Sequence, residues 1–210
     1  RIQTWEKILD MKKIMFNDEY GLTRAVLERR KTQTRRLVPK GFFTLVWDKR
    51  EDTLVYENDN GDFIDIRDKY ARYKVGEIVA VAQRYADIGI EPFAFCEAAW
   101  RNKMFVKAEL MPYQIKITNV RIQRLRDISD EDCLAEGVVK IVHRIPTKAP
   151  QYITMYYPSM SLKEAADKLG WGRVYSTPQY AYAELIDKVS RIGIWESNPY
   201  VFVYDFELVD

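Results

Sequence analysis

Residues 29–36 read Arg-Arg-Lys-Thr-Gln-Thr-Arg-Arg, so five of these eight side chains are cationic and two are hydroxyls. Guanidinium forks suit bidentate contact with phosphate, and threonine hydroxyls add neutral hydrogen bonds beside them. In an extended segment, Lys31, Gln33 and Arg35 point to one face while Thr32, Thr34 and Arg36 point to the other. Two differently equipped faces follow if the strand runs back to Lys31. The same residues also have a purely structural explanation. Arg29, Arg30 and Lys31 complement the C-terminal end of a preceding helix, and the later cations guard an edge strand.

Other chemistry is thinner along the chain. His143 is the only histidine, and no nucleophile elbow accompanies it, which disfavours Ser-His-Asp and Cys-His sites. Cys96 and Cys133 lack both a disulfide framework and the ligand spacing of a zinc site. No P-loop, dinucleotide fingerprint or metal motif is present, so neither a cofactor nor a metal is expected. Five tryptophans and fourteen tyrosines offer stacking platforms for bases. Tyr85, Trp100 and Tyr113 lie in the segments nearest the expected cleft, with Tyr85 as the ligand-binding candidate; the competing role for each is a core anchor. Asp127, Glu131 and Asp132 read as charges at a helix N-terminus.

The elements that must position these residues are short. Ile14–Phe16 reads as a strand, and Asn17 or Asp18 offers an N-cap for a helix through about Arg30. Thr32–Val38 is β-prone and Pro39-Lys40-Gly41 breaks it. From 42 to 66 a meander is expected, with turns at 48–52 and at Asn58-Asp59-Asn60-Gly61. Ile78–Ala82 and Tyr113–Leu125 read as strands, Phe105–Ala108 as a short one, and 86–103 as loop-rich. Ser129-Asp130-Glu131-Asp132 resembles a capping box for a short helix ending near Glu136-Gly137. Residues 140–160 hold three prolines and little periodicity, which reads as a long surface loop. Helices are expected over 161–169 and 177–189, and Tyr200–Leu208 closes the chain as a strand. Many short strands, few helices and no βαβ alternation predict an α+β fold, a mixed β-barrel with helices at its rim.

Composition sets the class. The chain has 210 residues, 47% hydrophobic and 13% aromatic, enough to bury one core. The formal net charge of +2 excludes a bulk polycation, so nucleic-acid contact has to come from a local concentration of charge. No apolar run is long enough to span a bilayer and Arg1–Asp10 lacks the apolar stretch of a signal peptide, so a cytoplasmic protein without membrane contact is expected. Residues 1–10 read as an extension ahead of Met11, and 11–210 as one domain. Nothing in the sequence speaks to oligomeric state.

The stretch Val26-Leu-Glu-Arg-Arg-Lys-Thr-Gln-Thr-Arg-Arg-Leu-Val38 resembles the signature of ASCH domains, G-[RK]-K-T-x-T-x-R after the first helix. Val75-Gly76-Glu77-Ile78-Val79 resembles that family's V-G-D-x-[LV] strand entry. Arg121–Ile128 followed by Ser129–Gly137 is similar to the strand and short helix of phage-type members, and Asn198–Glu207 to their closing strand. The resemblance implies a PUA-like barrel with a cleft between the first helix and the barrel, suited to RNA, a nucleotide or a modified nucleoside, in a prophage-type protein. Members of the family differ: some bind RNA, some cleave it, and a bacterial branch removes the acetyl group from acetylcytidine. The residues of that amidohydrolase branch fall here on Lys31, Thr34 and Glu136, with Arg36 as accompanying cation; Arg30, Thr32 and Arg35 complete the basic element. Such chemistry needs a base to take the threonine proton, and a lysine serves only if burial or neighbouring cations lower its pKa.

Three departures limit the likeness. Arg29 stands where the family has glycine, which argues against a left-handed turn there. Ala82-Gln83-Arg84-Tyr85 stands where phage-type members have R-E-T-W, so a carboxylate is missing. Extra segments at about 42–72 and 140–175 make this chain about twice as long as the compact amidohydrolases. Three functions stay open: a binding module for RNA or a nucleoside, a small hydrolase (amidohydrolase or ribonuclease), and a phage accessory domain that binds another protein.

Overall fold

The computed structural model describes residues 11–39, 45–57, 60–91, 97–145, 151–169 and 172–209. Strand β1 (Lys13–Ile14) is followed by helix α1 (Leu22–Leu27) and strand β2 (Gln33–Leu37). Strands β3 (Leu45–Asp48), β4 (Thr53–Glu57) and β5 (Phe63–Asp65) run into helix α2 (Ile66–Tyr70). Then come β6 (Ile78–Val81), α3 (Glu97–Arg101), the long strand β7 (Gln114–Arg124) and α4 (Asp130–Ala135). Strands β8 (Val139–Ile145) and β9 (Gln151–Tyr157) and helices α5 (Met160–Leu169), α6 (Pro178–Val189) and α7 (Ile194–Ser197) precede the last strand, β10 (Tyr200–Val209).

The architecture is α+β, with a five-stranded sheet in the order β1-β6-β7-β10-β2, a three-stranded sheet β3-β4-β5 and a ribbon β8-β9. In the main sheet β1 lies parallel to β6, and the other neighbours are antiparallel. Strand β10 is central to the site side: it holds β2 through Arg35 opposite Val203 and Thr34 opposite Tyr204, and it pairs along its whole length with β7. Along β7 the buried residues are Ile115 and Ile117, then Val120 and Ile122, a change of parity within one strand. A bulge produces it. Asp205 faces Asn119 and Phe206 faces Ile117, so Thr118 has no cross-strand partner and the pleat shifts phase by one residue.

One core joins Ile14, Val81, Ile115 and Val203 of the sheet to Leu22 and Val26 of α1 and to Tyr182 and Leu185 of α6. A second, smaller cluster gathers Ala80, Ala82, Tyr85, Ala99, Val106 and Met111. Among the described residues, no helix is long and apolar enough to cross a membrane.

Several sequence expectations need correction. Helix α1 begins four residues later than Asp18, after Gly21 in the left-handed region (φ 67°), because the Asn17 carboxamide accepts the Tyr20 N–H and closes a turn instead. Arg29, expected to disfavour a left-handed turn, adopts one (φ 58°). The Arg30 N–H reaches back to the Ala25 carbonyl at 2.8 Å and the Arg29 N–H to Val26 at 2.9 Å, the two bonds of a Schellman stop. Phe105–Ala108 is not a strand. Lys13 Nζ donates to the Met104 and Val106 carbonyls, each at 2.6 Å, and so takes acceptors that a strand would have paired.

Residues 140–160 are not one loop, since β8 and β9 pair from Val139–Tyr157 to Ile145–Gln151. Their side chains are largely exposed, so no burial imposed a readable alternation. The meander over 42–66 forms with strands at 45–48, 53–57 and 63–65; its first residues, Asn58 and Asp59 of its second turn, the extension 1–10 and Cys96 lie outside the described residues.

Candidate functional site

The basic element is built into the fold by its two ends. Its start is docked by the Thr32 N–H, which donates to the Ala135 carbonyl at the end of α4 (2.9 Å), and its strand half is held by β10. Helix α4 is positioned by the expected N-cap, the Ser129 hydroxyl accepting the Asp132 N–H at 3.1 Å. Glu136 follows as its C-cap, and Gly137 (φ 110°) turns the chain away. A Cβ at Gly137 would lie 3.2 Å from Leu22 Cδ2 and 3.9 Å from Lys31 Cδ, so a glycine lets α1 and the Lys31 stem approach.

These supports bring Lys31 and Glu136 together in the interior, only 2% and 4% exposed. Lys31 Nζ donates to Glu136 Oε2 at 2.5 Å and to the Glu136 carbonyl at 2.8 Å, and lies 5.8 Å from the Phe16 ring centroid. Arg35, also buried, donates from Nη1 to Glu136 Oε1 at 3.0 Å and from Nη2 to Asp132 Oδ2 at 2.7 Å. Gln33 accepts from Arg35 and donates to Asp132 Oδ1 at 2.9 Å and Asp205 Oδ1 at 2.6 Å. Arg121 then bridges Asp132 and Asp205. The result is a neutral network of three cations and three carboxylates that ties β2, β7, β10 and α4 together. The expected alternation holds on this face: Lys31, Gln33 and Arg35 all turn to the acids of α4.

Electrostatics follow from that burial. Desolvation pulls the Lys31 ammonium below the ordinary lysine range, and the Glu136 carboxylate restores only part of it, with Arg36 and Arg35 adding to the depression. Burial works against ionisation of Asp132 too, but the Gln33 hydrogen bond and the Arg35 and Arg121 guanidiniums outweigh it and hold that carboxyl below its usual range. Tyr182 is pushed well above the usual phenol range, by burial first and then by Glu136. Its hydroxyl and Arg35 Nε are buried without a hydrogen-bond partner among the described residues.

A cavity of about 380 Å³ opens on this cluster. Lys31, Thr34, Arg35, Arg36, Glu136 and Tyr182 line it, with Phe16, Leu22 and Leu185 as apolar wall and Asp18 and Lys103 at its edge. Lys103 Nζ is held by Asp18 Oδ1 at 2.8 Å. The volume is that of a small-molecule site, and its lining is largely polar and charged. Because β2 is the edge of its sheet, the cavity takes side chains from both its faces, Arg35 from one and Thr34 from the other.

The other candidates fall elsewhere. Arg30 is half-exposed and paired with Glu28, with Nε at 2.8 Å from Oε2. Thr32 is exposed and serves the backbone, its carbonyl accepting the Phe206 N–H at 2.8 Å. Tyr85 is a correction: it is 2% exposed in the second core cluster, its hydroxyl accepts the Lys107 N–H at 3.1 Å, and it does not line the cavity. Trp100 packs against the same cluster and Tyr113 is exposed. His143 is an exposed ribbon residue, and burial pushes the Cys133 thiol up to about 12, which makes it inert as a nucleophile.

Sequence reasoning missed Asp132 as a hub, Arg121, Asp205 and Tyr182. Asp132 was assigned to the helix dipole, whereas its side chain turns away from the helix end to two arginines. Tyr182 carried no signal beyond its place on the inner face of α6. Comparison with models of known protein families, with curated proteins and with solved structures finds no match to this chain, so the ASCH resemblance stands on the residues that carry it.

Proposed function

We propose that the chain is a PUA-like domain of the ASCH type that binds a nucleotide or modified nucleoside, free or within RNA, in the Lys31 cavity. The observation that carries this reading is that Lys31, Thr34, Arg35, Arg36 and Glu136, from two separate segments, line one preformed cavity. Ion-paired donors and a carboxylate fixed by two cations present a rigid pattern to the edge of a heterocycle, and the unpartnered Tyr182 hydroxyl adds one more donor. The mainly antiparallel five-stranded sheet with a short helix ahead of its edge strand supports the α+β part of the PUA-like expectation, whereas the expected closed barrel is not seen among the described residues. The β3–β5 meander and the β8–β9 ribbon would be additions to such a domain.

Hydrolysis is the second reading, favoured by the depressed pKa of Lys31 and by Thr34 on the same cavity. In it the Thr34 oxygen bonds to an acyl carbon, its proton passes by way of Lys31 to the leaving amine, and Arg35 or Arg36 stabilises the oxyanion until water frees the acid. Against it, Lys31 Nζ donates to the Glu136 carbonyl and to Oε2, and the Glu136 carboxylate favours the ammonium, which has no lone pair with which to accept a proton.

The test is turnover of acylated cytidines and binding of short single-stranded RNA, in wild type and in Thr34→Val and Lys31→Arg. The binding reading expects no turnover and affinity within about fivefold of wild type for Thr34→Val, the loss of one neutral hydrogen bond. Product formed by wild type and abolished by the near-isosteric Thr34→Val, in a variant with unchanged unfolding midpoint, establishes the hydrolase instead. Absence of both activities, with a protein partner retained, leaves the accessory-module reading.

A further inference from the structure

Next to the Lys31 cavity lies a second one of about 500 Å³. The two share Met15, Arg35, Arg36, Ile186 and Ser190, so they are neighbouring lobes of one cleft along β2. Their chemistry differs. Lys13, Arg35, Arg36 and Arg72 line the second lobe, and no carboxylate does so among the described residues. Among the described residues Lys13 donates to the Met104 and Val106 carbonyls, and Arg36 to the Met15 carbonyl at 2.8 Å. Neither they nor Arg72 form an ion pair among the described residues. Burial pulls the Lys13 ammonium down and the neighbouring Arg72 charge adds to it, with Glu109 opposing them only in part, so positive charges face one another here. Below the cations the floor is apolar, from Leu125, Ile194, Val201 and Phe202.

Three unneutralised cations above an apolar floor make a site for an anion joined to an apolar or planar body. We propose that this lobe receives the phosphate and flanking unit of the ligand whose base occupies the Lys31 cavity. The ligand class is then a nucleotide or nucleic-acid strand rather than a free nucleoside. Arg36, on both lobes, sits where the phosphate joins the two parts. This inference rests on the nucleoside reading of the Lys31 cavity and names the substrate class for it.

The experiment titrates the full chain calorimetrically with the four ribonucleosides, their 3′- and 5′-monophosphates, matched trinucleotides and inorganic phosphate. At least one monophosphate should bind tenfold or more tighter than its nucleoside, the gain of one charge-assisted contact. Arg72→Gln, whose side chain has no ion pair to lose, should remove most of that gain and leave nucleoside affinity unchanged. A trinucleotide that binds tighter still, with a steeper salt dependence, assigns the phosphate to a strand; equal affinity assigns it to a mononucleotide. Nucleosides and monophosphates of equal affinity, in wild type and Arg72→Gln alike, overturn the inference and leave the Lys31 reading standing. Binding of phosphate alone as tight as any nucleotide, or no binding of any probe, overturns both. The wild-type ratio requires no variant, so a folding defect cannot decide the outcome.

Discussion

The two lobes of the cleft share Arg35 and Arg36 yet hold their charges differently. In the Lys31 lobe each buried cation meets a carboxylate: Lys31 and Arg35 take the two oxygens of Glu136, and Arg35 reaches on to Asp132. In the Arg72 lobe Lys13 and Arg36 meet backbone carbonyls and the exposed Arg72 lies over the Tyr73 ring. Burial is the reason for the difference. A charge that folding removes from water must find its counter-charge in the protein, whereas a half-exposed cation is stabilised by water and stays available to a ligand. The first lobe is thereby a shaped, neutralised surface suited to discrimination, and the second an attractive one suited to capture.

The largest effect that separates the lobes is on stability. Glu136→Gln leaves two cations in the interior with one carboxylate fewer, and should cost about 3–5 kcal/mol in a denaturant titration. Arg72→Gln should change stability by no more than about 0.5 kcal/mol. A Glu136→Gln cost as small as that of Arg72→Gln would mean that the Lys31 cluster is solvated like its neighbour, and the contrast would collapse.

The same contrast has a pH signature. Asp132 in the folded chain is held below the ordinary aspartate value of 3.8 by Gln33, Arg35 and Arg121 against its burial. As pH falls through that value the unfolded chain takes up the proton first, so the stability that Asp132 supplies above pH 3.8 is lost as pH drops toward the folded pKa. Asp132→Asn should flatten the acid limb of the stability curve by up to about 1.4 kcal/mol per pH unit, the slope of one proton. Urea midpoints from about pH 5 to about pH 2 measure this, and an unaltered slope would remove Asp132 from the cluster.

How much of this was legible follows the same logic of burial. Strands β7 and β10 and the meander could be read because one face of each meets the core and so repeats its apolar residues, β6 as a continuous apolar run, β2 as a β-prone stretch ahead of Pro39, and α4 from its capping box. The ribbon β8–β9 could not, since its pairing partner is another exposed strand and neither face is constrained. Lys31, Thr34 and Glu136 were named, and the structure places them on one cavity. What that likeness left out is what holds them: Asp132, Arg121 and Asp205 come from three elements whose approach depends on the β10 ladder. Tyr85 was misplaced because an aromatic after a buried strand reads the same whether it faces a cleft or a second core. Arg29 shows a local rule losing to its context, for the Schellman bonds and the docking of β2 enforce a backbone that its side chain disfavours.

The smallest effect concerns a single oxygen and tests whether the Lys31 lobe is finished or waiting. Its buried charges are paired, but the Tyr182 hydroxyl, on a side chain 1% exposed, has no partner among the described residues. An unsatisfied buried hydroxyl is a cost of about 1 kcal/mol or more, and a core that served stability alone would replace it. Tyr182→Phe keeps the ring against Trp195 (centroids 6.2 Å apart) and should therefore raise stability by about 1 kcal/mol. It should also weaken nucleotide binding severalfold, because the hydroxyl is then absent when the ligand arrives. A gain in stability without loss of affinity would make Tyr182 a tolerated imperfection of the core. A loss of stability would show that the hydroxyl is engaged within the protein, and that the Lys31 lobe is satisfied in its polar groups as well as its charges.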